Sequence, residues 1–150
     1  MDDRDKYANP QRFPEAAKTL ACDFTDSFSR LTVCASTYLV IVTRGHEYDE
    51  VILEWAVTTP ARYVGMIGSK RKVITTYEHL INRGVALHLL KRVHAPMGLD
   101  LGAVTAEEIG LSIVSQLVAV RRRKGTPIED KSAQMEDLLN RLEVRGSLRT

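Results

Sequence analysis

Apolar positions along this chain alternate between two rhythms. Tyr38 to Thr43 is an unbroken, mostly β-branched run, which predicts a strand buried on both faces of a parallel sheet. The run stops at Arg44-Gly45-His46. From Glu47 onward Tyr48, Val51, Ile52 and Trp55 return at helical spacing, and Pro60 ends the pattern. The order then repeats. Arg62 to Ile67 reads as a short apolar strand, and Ser69 opens a helix with Val73, Ile74, Tyr77, Leu80 and Ile81 on one face and Gly84 at its exit. Strand, helix, strand, helix in this order predicts an α/β fold on a parallel sheet with right-handed crossovers.

Beyond Gly84 the pattern shortens. Val85 to Leu90 suggests a further short helix and Arg92-Val93-His94 a short strand, followed by a loop from His94 to Gly102. Thr105-Ala106-Glu107-Glu108 has the form of a capping box, in which the hydroxyl and the carboxylate satisfy end amides reciprocally. The helix it starts carries Ile109, Leu111, Ile113, Val114, Leu117, Val118 and Val120. These cover more than one stripe, so the helix is expected to pack on more than one side. Past Arg121-Arg122-Arg123-Lys124-Gly125 the chain turns polar, while Met135, Leu138, Leu139 and Leu142 keep helical spacing. The expected organisation is a domain over 1–125 and an amphipathic tail helix within 126–150. Near the start, Asn9-Pro10 reads as a helix opening with Pro in the first turn.

Composition narrows the function classes. With 150 residues, 44% of them hydrophobic, the chain can bury one core. A net charge of +2 from 21 basic and 19 acidic residues is too balanced to attract nucleic acid or a membrane surface by bulk electrostatics. No apolar stretch is long enough to span a bilayer, and Met1-Asp2-Asp3 does not open a signal peptide, so the expected location is cytoplasmic. Cys22 and Cys34, outside any C-x-x-C spacing, are expected to be reduced core thiols.

The sharpest local feature runs from Tyr63 to Lys72, YVGMIGSKRK, where a strand passes through Gly65 and Gly68 into a helix with Ser69 as N-cap. Lys70, Arg71 and Lys72 occupy the first turn, where the helix dipole disfavours cations by a few tenths to about 1 kcal/mol each. A phosphate at the free amides would reverse that penalty. A tight turn with solvated cations is the competing explanation, and the residues alone do not separate the two.

Other candidates lie at predicted strand ends, the edge where open α/β sheets bind ligands. Thr43, Arg44, Gly45, His46 and Asp49 form one group. His46 and Glu50 have the spacing of a helical ligand pair, yet without a third ligand nearby a metal site is not expected. His94 and Asp100 flank the later loop and suit either acid-base work or loop fixation, with fixation favoured because no nucleophile stands beside them. Asp2 and Asp3, on residue evidence alone, are an ordinary charged terminus.

Taken together, DDRDKYANPQRFP at 1–13, VTRGHEYD at 42–49, YVGMIGSKRK at 63–72 and HAPMGLDLGAVTAEEI at 94–109 resemble the XdhC/CoxI family of xanthine dehydrogenase accessory proteins. The resemblance runs from Met1 to about Arg122. It implies a Rossmann-type domain and a non-catalytic role: holding molybdenum cofactor (molybdopterin), supporting its sulfuration and passing it to a molybdenum hydroxylase apoenzyme. A cysteine desulfurase, the cofactor nucleotidyltransferase and a second copy of the chain are the implied further partners. The resemblance also implies that Asp3 closes a strand and that Arg44, His46, Asp49, His94 and Asp100 line the pocket rim, beside an anion site at Gly68, Ser69 and the cations after them.

Family members usually start this domain with a strand and a G-x-G-x-x-G turn after a further N-terminal domain, and this sequence contains neither. An incomplete Rossmann-like sheet is therefore expected, its unpaired edges met by rearranged strand order, by a partner chain or by dimerisation. NAD(P) binding, as in an oxidoreductase, is disfavoured without that glycine loop. A degenerate interaction module that has lost small-molecule binding is the third reading.

Overall fold

The computed structural model describes residues 1–122 and Leu139. Helix α1 (Phe24–Phe28) is followed by β1 (Tyr38–Ile41), α2 (His46–Thr58), β2 (Tyr63–Met66), α3 (Lys70–Asn82), α4 (Leu87–Leu90) and α5 (Ala106–Arg122). β1 and β2 pair in parallel, with Tyr38 beside Tyr63 and Ile41 beside Met66, and α2 is the crossover between them. On the far side of β2, His94 forms a parallel bridge to Gly65, so the predicted third strand is reduced to one bridged residue. Asp2 and Ala21 make a separate parallel bridge. This is the α/β arrangement on a parallel sheet expected from the alternating pattern, and it agrees with the Rossmann-type domain that the resemblance implies.

The two strands differ in burial, and the sheet order explains why. β2 is central and every one of its residues is buried, whereas β1 has β2 on one side only among the described residues, leaving Val40 exposed. Among the described residues no rearranged strand order fills that edge. The main core lies on the α2–α3 side, where Leu53, Val57, Val64, Met66, Val73 and Leu80 are fully buried. Phe28 stacks on Trp55 with ring centroids 4.4 Å apart, which ties α1 to α2.

Helix α5 packs on the opposite face. Its capping box forms as the sequence predicts: Thr105 Oγ1 accepts from the Glu108 amide at 3.3 Å, and Glu108 Oε2 accepts from the Thr105 and Val104 amides at 2.9 and 2.8 Å. Among the described residues only one side of α5 is buried, through Ser112, Ile113 and Gln116, while Leu111, Val114 and Val118 are exposed. The expectation of packing on several sides is thus corrected, because the sheet offers this helix a single surface.

Three smaller expectations also change. Asn9-Pro10 opens a turn, with Asn9 Oδ1 accepting from the Arg12 amide at 2.9 Å, and no helix follows. Cys34 is exposed and Cys22 half-buried, so neither is a core thiol. Helix α1, absent from the sequence reading, is capped by Asp23 accepting from the Thr25 amide. The predicted tail helix lies outside the described residues, apart from Leu139, which is buried against the main core.

Candidate functional site

The carboxyl ends of β1 and β2 deliver Thr43 to Gly45 and Ile67 to Ser69, and the first turns of α2 and α3 follow directly. This brings Thr43, Asp49 and Lys72 together. Asp49 is fully buried in the first turn of α2, and its Oδ2 forms an ion pair with Lys72 Nζ, which is its partner there. Thr43 Oγ1 stands 2.6 Å from Asp49 Oδ1 and 2.9 Å from the Gly45 carbonyl; its single proton has its shorter path to the carboxylate. A buried carboxylate needs such partners, since an uncompensated charge there costs several kcal/mol.

Lys72 reaches Asp49 by laying its stem along the strand-to-helix turn. A Cβ at Gly68 would stand 3.0 Å from Lys72 Cδ, so glycine at this position makes room for the lysine. Ser69 is the N-cap, its Oγ accepting from the Lys72 amide at 3.2 Å. The amides of Lys70 and Arg71 have no intrahelical acceptor by the geometry of a helix end, and both side chains are exposed. The three first-turn cations therefore divide. Lys72 is structural, and Lys70 and Arg71 stand in solvent at the positive end of α3.

Beside this turn, Asp3 follows the bridged Asp2 and pairs with Arg44, and Arg4 Nε lies 2.9 Å from Asp2 and 3.6 Å from Asp3. The Arg4 guanidinium holds Asp2 below the usual carboxylate range. The Asp3–Arg44 contact joins the start of the chain to the end of β1, so Arg44, like Lys72, already has an anionic partner. His46 is the first residue of α2. Glu50, the other half of the expected helical pair, is taken up by His79 Nδ1 at 2.7 Å and Arg83 at 3.4 Å. Among the described residues no three of His, Cys, Asp and Glu are grouped to hold a metal.

Three candidates are placed elsewhere. Gly65 sits inside β2, and a Cβ there would fall 2.3 Å from the phenol oxygen of Tyr63; its bareness serves the Tyr63 ring that lies across it. His94 stacks on that ring with centroids 4.8 Å apart, and its Nδ1 is 3.4 Å from Gln116 Nε2. Asp100 is exposed in the loop after His94. The structure thus gathers Asp3, Thr43, Arg44, Gly45, Asp49, Gly68, Ser69 and Lys72 around the strand ends, with Lys70 and Arg71 at their rim. Gly65 and His94 belong to the α5 side of the sheet.

Sequence reasoning missed the residue that organises that second region. Gln116 is fully buried, and its Oε1 accepts from Tyr63 Oη at 2.6 Å and from the Gly98 amide at 2.8 Å. Gly98 has φ +103°, and a Cβ there would stand 2.5 Å from Ser112 Oγ, so the loop can lie against α5 only with glycine at this point. A polar residue inside the apolar pattern of α5 was the available signal.

Comparison with known proteins agrees with this architecture. The XdhC Rossmann domain family model matches residues 1–117. The chain is 29% identical over 114 residues to the uncharacterized protein YqeB of Escherichia coli K12, covering 75% of this chain and 21% of that protein. It is 24% identical over 122 residues to a probable xanthine dehydrogenase subunit from Bacillus subtilis 168, covering 81% of this chain and 35% of the relative. A crystal structure of a xanthine dehydrogenase from Bacillus halodurans superposes with a TM-score of 0.67 at 28% identity, over 84% of this chain and 36% of that one. The chain spans about a fifth to a third of the length of these curated relatives. With the family model matching residues 1–117, the chain belongs to the XdhC Rossmann domain family.

Proposed function

We propose that this chain is an accessory module of a xanthine dehydrogenase-type molybdenum hydroxylase, and that it holds the phosphate of molybdenum cofactor at the first turn of α3. The observation that carries the reading is the division of cations at this turn: Lys72 is neutralised by Asp49, while Lys70 and Arg71 remain exposed beside amides without intrahelical acceptors. The donor set fits a phosphate monoester, because helix-end amides and flanking cations favour an anion. Ser69 and Gly68 keep the turn in place, and Asp49 keeps Lys72 from competing for the ligand. The cofactor supplies the redox chemistry of the hydroxylase it is delivered to; this chain binds and orients it. The apoenzyme, a cysteine desulfurase and the cofactor nucleotidyltransferase are the proposed partners, and the cytoplasm the proposed location. Among the described residues no helix is long and apolar enough to cross a membrane.

Fluorescence titration with molybdopterin, and separately with NAD(H), tests this. Molybdopterin is expected to bind and Lys70→Glu to weaken it by about tenfold or more, the scale of one charge-assisted hydrogen bond. Lys70 is exposed, so the variant should keep the wild-type circular dichroism spectrum. No molybdopterin binding, or binding indifferent to Lys70→Glu, overturns the assignment; tighter binding of NAD(H) replaces it with a dinucleotide reading.

A further inference from the structure

Arg44 and Lys72, two of the cations gathered at the strand ends, each carry a carboxylate partner, Asp3 for the first and Asp49 for the second. The second pair is the better enclosed: the Lys72 side chain is 16% exposed and that of Asp49 not at all. It also joins two helix starts, since Asp49 lies in the first turn of α2 and Lys72 in the first turn of α3. Thr43, at the end of β1, steadies it from one side, with Oγ1 2.6 Å from Asp49 Oδ1. Gly68 keeps open the path of the lysine stem, as a Cβ there would stand 3.0 Å from Lys72 Cδ. A buried ion pair often contributes no more to stability than apolar residues of the same volume, so stability alone does not account for this one.

We propose that Asp49 is a specificity-determining residue: by withdrawing Lys72 from the anion site it tunes that site to a phosphate monoester and denies it the further cation that a polyphosphate would use. The inference rests on the phosphate reading of the first turn of α3. With Lys72 neutralised, Lys70 and Arg71 are the cations that this turn presents to solvent, beside its amides without intrahelical acceptors. Their two positive charges match a doubly ionised monoester.

A second phosphoryl group brings further negative charge. In a ligand extended from α3 toward α2, that charge meets a lysine and a carboxylate whose charges cancel. Stripping water from it costs free energy, and no unpaired ammonium stands there to offset the cost. Removing the carboxylate alone changes the balance. Asp49→Asn keeps the side-chain size and still offers Thr43 an oxygen, but it leaves the Lys72 ammonium without its partner and able to turn to the ligand. A monoester, whose oxygens the amides and two cations already meet, gains less from that release than a polyphosphate does.

Amide chemical-shift titration of the full chain with inorganic phosphate and, separately, inorganic pyrophosphate at matched ionic strength tests this. In the wild type the two ions should bind within about threefold of one another, the range of one surface ion pair. Asp49→Asn should raise the affinity for pyrophosphate relative to phosphate by about tenfold or more, the scale of one charge-assisted hydrogen bond. Adding Lys72→Gln to Asp49→Asn should return the ratio to its wild-type value, because the gain comes through Lys72. A merely structural Asp49 would move both affinities together and leave the ratio alone. If Asp49→Asn does not fold, the wild-type ratio still decides: a preference for pyrophosphate of about tenfold or more overturns the proposal. Phosphate binding that Lys70→Glu weakens, with a ratio that Asp49→Asn leaves unmoved, overturns the proposal and leaves the phosphate reading standing. If neither ion binds, the phosphate reading fails and the proposal falls with it.

Discussion

Replacing Gln116 by Leu removes the acceptor that holds the loop after His94 against the sheet, with little change in side-chain volume. Gln116 is fully buried, and one oxygen receives both Tyr63 Oη and the Gly98 amide. Each buried donor stripped of its acceptor costs about 1–3 kcal/mol, so the substitution should destabilise the chain by about 2–6 kcal/mol. That is a large share of the roughly 5–15 kcal/mol that holds a domain together. Adding Tyr63→Phe removes one orphaned donor together with its lost acceptor, so the double variant should recover about 1 kcal/mol or more relative to additivity. Recovery stays partial because the Gly98 amide remains without Gln116. Urea unfolding of the four proteins in the cycle gives these energies, and hydrogen exchange should show the Gly98 amide losing protection in Gln116→Leu. A loss below about 1 kcal/mol, or strict additivity with Tyr63→Phe, would show that this buried network contributes little and that packing and the backbone bonds from Met97 to Met66 and from Leu99 to Ser112 hold the loop.

The other expectations concern charge. Lys72→Met leaves Asp49 buried without its ammonium partner and should cost about 3–5 kcal/mol in thermal unfolding, whereas Lys72→Met with Asp49→Leu should recover much of it; equal losses would refute the pairing. Cys34 is exposed, and hydrogen bonds from Ser36 and then Thr37 lower its thiol to about 7, so alkylation by iodoacetamide should accelerate through pH 7. Ser36→Ala should move that midpoint upward, and an unmoved midpoint would refute the cause. Glu108 is held below the usual carboxylate range by the Thr105 and Val104 amides. Its folded pKa lies below its unfolded one, so its contribution is present above the unfolded value and fades as pH falls through the folded value. The stability gap between wild type and Glu108→Gln should therefore close on acidification; a gap constant with pH would refute it.

How much was legible in sequence depended on whether a feature was local. The βαβα order, the Ser69 cap and the Thr105–Glu108 box follow from spacing and end chemistry within a few residues, and all formed. The start of α5 was read correctly but its burial was not: periodicity shows which faces are apolar and is silent on how many neighbours exist to cover them. Gly65 and Gly68 looked alike in the turn, yet one yields to a Tyr63 ring and the other to a Lys72 stem, and these differ only in the direction of side chains two to four residues away. The Asp49–Lys72 and Asp3–Arg44 pairs join residues from separate elements, which no local pattern encodes.

These pairs also determine how charge substitutions at the strand ends are to be interpreted. Lys70 and Lys72 are two residues apart in one helical turn, but Lys70 is exposed while Lys72 is 16% exposed and bound to a carboxylate that is not exposed at all. Neutralising Lys72 strands a buried anion, so any loss of ligand binding in that variant has a folding cause. Neutralising Lys70 strands nothing, and relieves a cation that the dipole of α3 disfavours. Lys70→Gln should therefore keep or slightly raise stability while lowering affinity for a phosphate, whereas Lys72→Gln should lower both. Opposite signs for stability and affinity in the first variant are the mark of a site kept for binding at some expense to the fold. If Lys70→Gln lowers stability as well, Lys70 supports the turn itself, and the anion reading at α3 loses its ground.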